Sequence, residues 1–227
     1  KPTLQSINNF APFIPQAMGS LVVILAYFVG KRIWDKKIGL LSAFLVGLFP
    51  SFMHRSLLGN TDHHVGEMFF SALAMMCLIF LVGEIYKKEG LNLKQAIKDR
   101  KILLLSFLTA VALGFYLLVW VGAVVFFAIT FLFFVLYYFS QYFYKKSQEW
   151  ILLVCLLIFI VPFLMILPWF GNPDILNARL YGLSQLAFFV AGIFSLSFLF
   201  FAGSLAKKYK SGPIKFLGIL IFSVFMI

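Results

Sequence analysis

The sequence predicts an all-α fold, a polytopic transmembrane helix bundle of about eight spans with the last one truncated. Three observations predict it. Of the 227 residues, 63% are hydrophobic and only 12% are charged, where a soluble domain carries roughly 25%. The apolar residues gather in runs of spanning length, and helices are the open-ended way to satisfy every backbone polar group in lipid. The basic residues fall almost wholly on alternate connections between those runs.

The runs follow in order. Residues 11–29 form the first, closed by Gly30-Lys31-Arg32, and residues 38–53 the second, entered from Lys36 and Lys37. The third, 65–86, leaves a polar segment and ends at Lys87 and Lys88. Residues 87–101 are polar and short enough to read as an amphipathic loop helix. The apolar stretch 102–143 has 42 residues, about twice what one span needs. Val119-Trp120-Val121-Gly122 offers the turn, so the stretch divides into helices over 102–119 and 121–143. Residues 150–168 and 182–206 complete seven runs. An eighth begins at Pro213 and has 15 residues, fewer than the ~20 that cross a bilayer. The chain starts at Lys1 and stops inside that run, so residues 1–227 are expected to be part of one transmembrane domain, with no soluble domain present. Cys77 and Cys155 lie within apolar runs and read as small packing residues.

Strict alternation of the spans places Lys31, Arg32, Lys36 and Lys37 on one side with the clusters at 87–101, 145–146 and 207–215, sixteen basic residues in all. Lys1, Arg55 and Arg179 remain on the other side, and the 16 to 3 split marks the first side as cytoplasmic. The four tryptophans, Trp34, Trp120, Trp150 and Trp169, all fall at predicted boundaries. The net charge of +11 therefore belongs to cytoplasmic loops and not to a nucleic-acid surface.

All three histidines, His54, His63 and His64, lie within eleven residues, beside Arg55, Asp62 and Glu67. Ionisable groups at a membrane edge are costly and mark a functional site. Asp62 opens the third span and suits an N-cap. Asp62 and His64, two residues apart, can close on one ion if the segment is extended, and Glu67 is three residues further on. A carboxylate with an imidazole suits Mn, Fe, Co or Zn, and Mg less well. The spacing fits a metal site and a capped, hydrogen-bonded helix entrance equally. Arg55 precedes the turn formers Gly59 and Asn60; its planar guanidinium fits phosphate oxygens, and it fits equally a simple pairing with Asp62. His54 reads as an interfacial residue, and Asp174 as a turn residue in the loop 169–179.

The stretch Gly30-Lys31-Arg32, Gly39-Leu40-Leu41-Ser42-Ala43, Pro50 and Arg55-Ser56-Leu57-Leu58-Gly59-Asn60-Thr61-Asp62-His63-His64 resembles the catalytic subunit of oligosaccharyltransferase, as does Gly114-Phe115-Tyr116-Leu117-Leu118-Val119-Trp120-Val121-Gly122. The resemblance implies a membrane glycosyltransferase of the lipid-linked-donor type. Such an enzyme moves a preassembled oligosaccharide from a dolichyl (polyprenyl) phosphate carrier to asparagine in Asn-X-Ser/Thr acceptor polypeptides. The family carries a short Asp-X-Asp motif at this point; Asp62-His63-His64 departs from it as archaeal members do. By that match Asp62 is catalytic, Asp62 and His64 hold a divalent metal, Mn2+ or Mg2+ with Zn2+ as a further option, and Arg55 meets the lipid phosphate. His63 and Glu67 are then outer partners of the site. The match further implies that the chain covers about helices 2 to 9 of the family, is inactive alone, and carries its catalytic loop outside the cytoplasm of a multi-pass cell-membrane protein. Two other functions fit the same polar cluster: another lipid-linked-sugar transferase such as a protein mannosyltransferase, and a divalent-metal or proton-coupled transporter.

Overall fold

The computed structural model describes residues 9–60, 63–88, 90–143, 149–170 and 182–208. Among them there are only helices and connections, and the chain divides into two compact units, Lys1–Phe80 and Leu81–Ile227. Six helices among the described residues are long and apolar enough to cross a membrane.

In the first unit a 3-10 turn, Ala11–Phe13, leads into α1, Ile14–Ile33. Trp34 and Asp35 reverse the chain. Asp35 is extended and its carboxylate accepts from the Ile38 N–H at 2.9 Å, capping α2, Lys36–Leu48. The return arm is broken. Proline excludes the residue before it from helical backbone, so Phe49 is extended and Pro50 starts a separate helix, α3, Pro50–Arg55. The span expected over 38–53 is thus a pair of short helices, and α2 alone, at about 20 Å, is too short to cross. Together they still run the length of α1, because the Gly59 N–H beyond α3 donates to the Pro12 carbonyl at 3.0 Å. Small residues let the two arms touch, as is usual between helices in lipid. A Cβ on Gly39 would lie 2.7 Å from the Tyr27 carbonyl oxygen, and one on Gly19 would lie 2.5 Å from the Ser56 Cβ.

The long helix α4, His63–Lys87, starts beside the start of α1: Val65 and Gly66 share a cavity with Ile14, Pro15 and Met18. Further along, the Arg32 guanidinium at the end of α1 lies over the Phe80 ring, 5.5 Å from its centroid. The two helices therefore run parallel. Residues 54–60 and 63–67 sit at one end of this unit, and the turn bearing Lys31, Arg32, Lys36 and Lys37 sits at the other.

The second unit takes the last turns of α4, then α5, Leu93–Lys98; α6, Arg100–Val119; α7, Val124–Phe143; α8, Trp150–Ile166; and α9, Leu183–Lys208. The expected loop helix is α5, opened by a reciprocal capping box between Asn92 and Gln95. The expected division of 102–143 falls at Trp120, whose extended backbone ends α6 before a 3-10 turn, Val121–Ala123. Gly122 is required there, since a Cβ would enter the Trp120 indole. The core is aromatic. Phe127, Phe159 and Phe189 from α7, α8 and α9 meet edge to face with centroids 5.0 to 5.9 Å apart, and all three are fully buried. Leu104, Phe107, Val125, Ile129, Phe194 and Phe201 are exposed on the outside of this bundle, where lipid replaces water as the solvent.

Lys88 sits between two carboxylates, Glu84 at 3.3 Å and Asp99, while Lys101 pairs with Glu84 at 3.0 Å. The Asp99 carboxylate also caps α6 through the Lys101 and Ile102 N–H groups. The Lys88 hydrogen bond holds the Asp99 carboxyl below its ordinary value, and the same bond raises Lys88. Three tryptophans are at least partly exposed at helix ends, but Trp150 is 2% exposed and belongs to the core of the second unit. Cys77 and Cys155 are free and buried, as packing residues should be. The eighth apolar run lies outside the described residues.

Candidate metal centre

The segment from α3 to α4 is built by a sharp turn. α3 ends at Arg55, Ser56 leaves the helix, and Gly59 turns the chain with a φ of +84°, a backbone that favours glycine. The Asn60 side-chain amide donates to the His54 carbonyl at 3.1 Å, closing the loop on the end of α3. Helix α4 then begins at His63. Asp62, the expected catalytic residue and metal ligand, lies outside the described residues, as do Asp174 and Arg179.

Three of the expected site residues come together in the first turn of α4. His64 Nδ1 is 3.1 Å from Glu67 Oε2, an i,i+3 pair on one helix face. His63, expected to be an outer partner, has its ring 4.2 Å from that of His64, tilted by 32°. Each of the three offers a donor atom within 4.8 Å of the other two. Ligand bonds of about 2.1 Å place two donors at most about 4.2 Å apart across an ion, so a small side-chain rotation brings the set to ligating distance. Two nitrogens and one carboxylate oxygen suit Zn, Mn, Fe or Co better than Mg. The residues present fit a divalent cation.

The surroundings divide polar from apolar. Val65 and Gly66 are buried and anchor the turn, while His63 is exposed and His64 and Glu67 are partly exposed. Beside His63 opens a cavity of about 360 Å³, walled by Ala11 of the 3-10 turn and by Ile14, Pro15 and Met18 of α1. Sequence reasoning missed this wall; its only trace is apolar spacing along residues 11–18. Arg55 is half-buried at the end of α3, and His54 is exposed.

The family profile described as "Oligosaccharyl transferase STT3, N-terminal" matches residues 3–226. The chain belongs to this family. Among STT3 relatives it is 25% identical over 169 residues to dolichyl-phosphooligosaccharide-protein glycotransferase 3 of Archaeoglobus fulgidus, covering 74% of this chain and 19% of that protein. Its fold is similar to the archaeal oligosaccharyltransferase AglB of the same organism, solved with an inhibitory peptide and a dolichol-phosphate. The TM-score is 0.74 at 22% identity, over 97% of this chain and 26% of that one. An A. fulgidus oligosaccharyltransferase solved with Zn and sulfate matches at a TM-score of 0.72 and 22% identity, over 97% of this chain and 28% of that one. The chain thus spans about a fifth of the first relative and about a quarter of the solved structures. The expected all-α, multi-pass membrane architecture is the STT3 fold.

Proposed function

We propose that this chain is the membrane part of an oligosaccharyltransferase, which transfers a preassembled glycan from a dolichyl phosphate carrier to the asparagine of Asn-X-Ser/Thr acceptors. The observation that carries the proposal is the His63, His64 and Glu67 cluster at the start of α4, next to Asp62 in a segment matched by the STT3 profile. The names of the relatives supply the donor, a dolichyl-phosphooligosaccharide, and a zinc-bound relative supports a divalent metal. Asp62 and His64 would hold that cation, which is Mn2+, Mg2+ or Zn2+.

When bound, the cation supplies Lewis acidity and neutralises charge on a leaving phosphate. The chain's residues do the rest. Asp62, by its place in the sequence just before α4, would contribute the anionic ligand. Arg55 presents a planar fork to phosphate oxygens. The wall beside His63 gives one flank of the centre an apolar lining. The segment 54–64 would face outward from the cytoplasm, supported by the 16 to 3 distribution of basic residues and by the opposite placement of the Lys31–Lys37 cluster within the first unit. A transport site favours broken helices near the midplane, whereas this cluster occupies a helix end.

The test is glycan transfer from a lipid-linked donor to a sequon peptide by the full-length protein carrying Asp62→Ala. Loss of an N-cap costs about 1 kcal/mol, which a large bundle survives, so the variant should fold and lose nearly all turnover. Near-normal transfer would reduce Asp62 to a cap.

A further inference from the structure

We infer that Glu67 is a positioning residue that commits His64 to bind the cation through Nε2. The inference rests on the reading of this turn as a metal site. An ionised carboxylate can only accept hydrogen bonds, so at 3.1 Å from Glu67 Oε2 the His64 Nδ1 atom is the donor. In a neutral imidazole a proton on Nδ1 leaves the lone pair on Nε2, across the ring and directed away from Glu67. The ring has a second neighbour, the His63 ring, 4.2 Å away and tilted by 32°. The first contact fixes the tautomer, and the second packs against the ring face. A carboxylate behind a ligating histidine is the usual device for orienting the ring and raising its basicity. The i,i+3 spacing on α4 makes the pair rigid, because both side chains project from one turn.

This assignment separates two roles that the cluster permits. If Glu67 ligated the ion through Oε2, that oxygen would have to release His64 Nδ1, and the ion would then meet a ring with no fixed tautomer. As the structure stands, Glu67 serves His64, and Nε2 is the nitrogen left to meet the ion.

The experiment uses the full-length protein in detergent, with Co2+ as probe, its binding followed by titration calorimetry and its coordination by the visible absorption of the bound ion. Glu67→Ala should weaken Co2+ binding by roughly 10- to 100-fold while leaving the band positions of the saturated complex unchanged, because no ligand is lost. Glu67→Gln, which keeps an acceptor oxygen for Nδ1, should recover most of the affinity and serves as the folded control. His64→Ala should weaken binding and shift the bands. Affinity in Glu67→Ala within twofold of wild type would overturn the positioning role while His64→Ala still supports the site. A band shift in Glu67→Ala would make Glu67 a ligand and overturn the inference. Unchanged binding in all three variants would overturn both the inference and the metal-site reading.

Discussion

Gly39→Ala tests whether the first hairpin is held by backbone contact. The added Cβ would lie 2.7 Å from the Tyr27 carbonyl oxygen and 3.0 Å from the Lys31 amide nitrogen. Both obstacles are backbone, so no side-chain rotation relieves them. Reaching an ordinary contact of 3.4 Å requires α1 and α2 to part by about 0.7 Å, and overpacking of that kind costs about 1–3 kcal/mol. Alanine also returns about 0.5–1 kcal/mol of helix propensity, leaving a net destabilisation. Gly47→Ala is the internal control: its Cβ would meet only the Val23 methyls, at 3.8 and 4.0 Å, so propensity alone acts and the protein should gain slightly. Thermal denaturation of the full-length protein in detergent reads both. Equal midpoints for the two variants, or a higher one for Gly39→Ala, would refute the close packing of α1 against α2.

Two further outcomes follow from charges. Asp99 has a folded pKa below its unfolded value of about 3.9, so its contribution is present above about pH 4 and is lost as pH falls through the lower, folded value. Asp99→Asn keeps an oxygen to cap α6 but removes the charge facing Lys88; it should be less stable than wild type near pH 6 and converge with it in acid. A constant difference at all pH values would contradict this. For topology, cysteine at Asn60 should react with a membrane-impermeant thiol reagent in intact cells, and labelling only after permeabilisation would reverse the orientation.

The helix order was legible because polarity changes sharply at each boundary. Even the turn inside 102–143 could be placed, since the stretch is twice too long and Gly122 marks the one break. Hydropathy does not register the division of the second run at Pro50, because apolar residues continue through Leu48, Phe49 and Phe52. Cys155 was rightly read as packing, whereas Trp150 was read from its position at a boundary, and burial depends on neighbours that spacing does not reveal. At the site, the i,i+3 spacing made Glu67 legible as a partner candidate, though not its contact with His64 Nδ1. The close approach of the His63 ring was not legible, because adjacent helical side chains ordinarily diverge by about 100°.

The central claim is that the first turn of α4 belongs to a catalytic metal centre, and metal titration of transfer activity tests it most directly. Full-length wild type, His63→Ala and His64→Ala would be assayed across a range of Mn2+ concentrations. His64→Ala should need roughly tenfold more metal or beyond for half-maximal activity, with partial rescue at excess metal, and His63→Ala should be milder. Unchanged metal dependence in His64→Ala, or a greater defect in His63→Ala, would contradict the account.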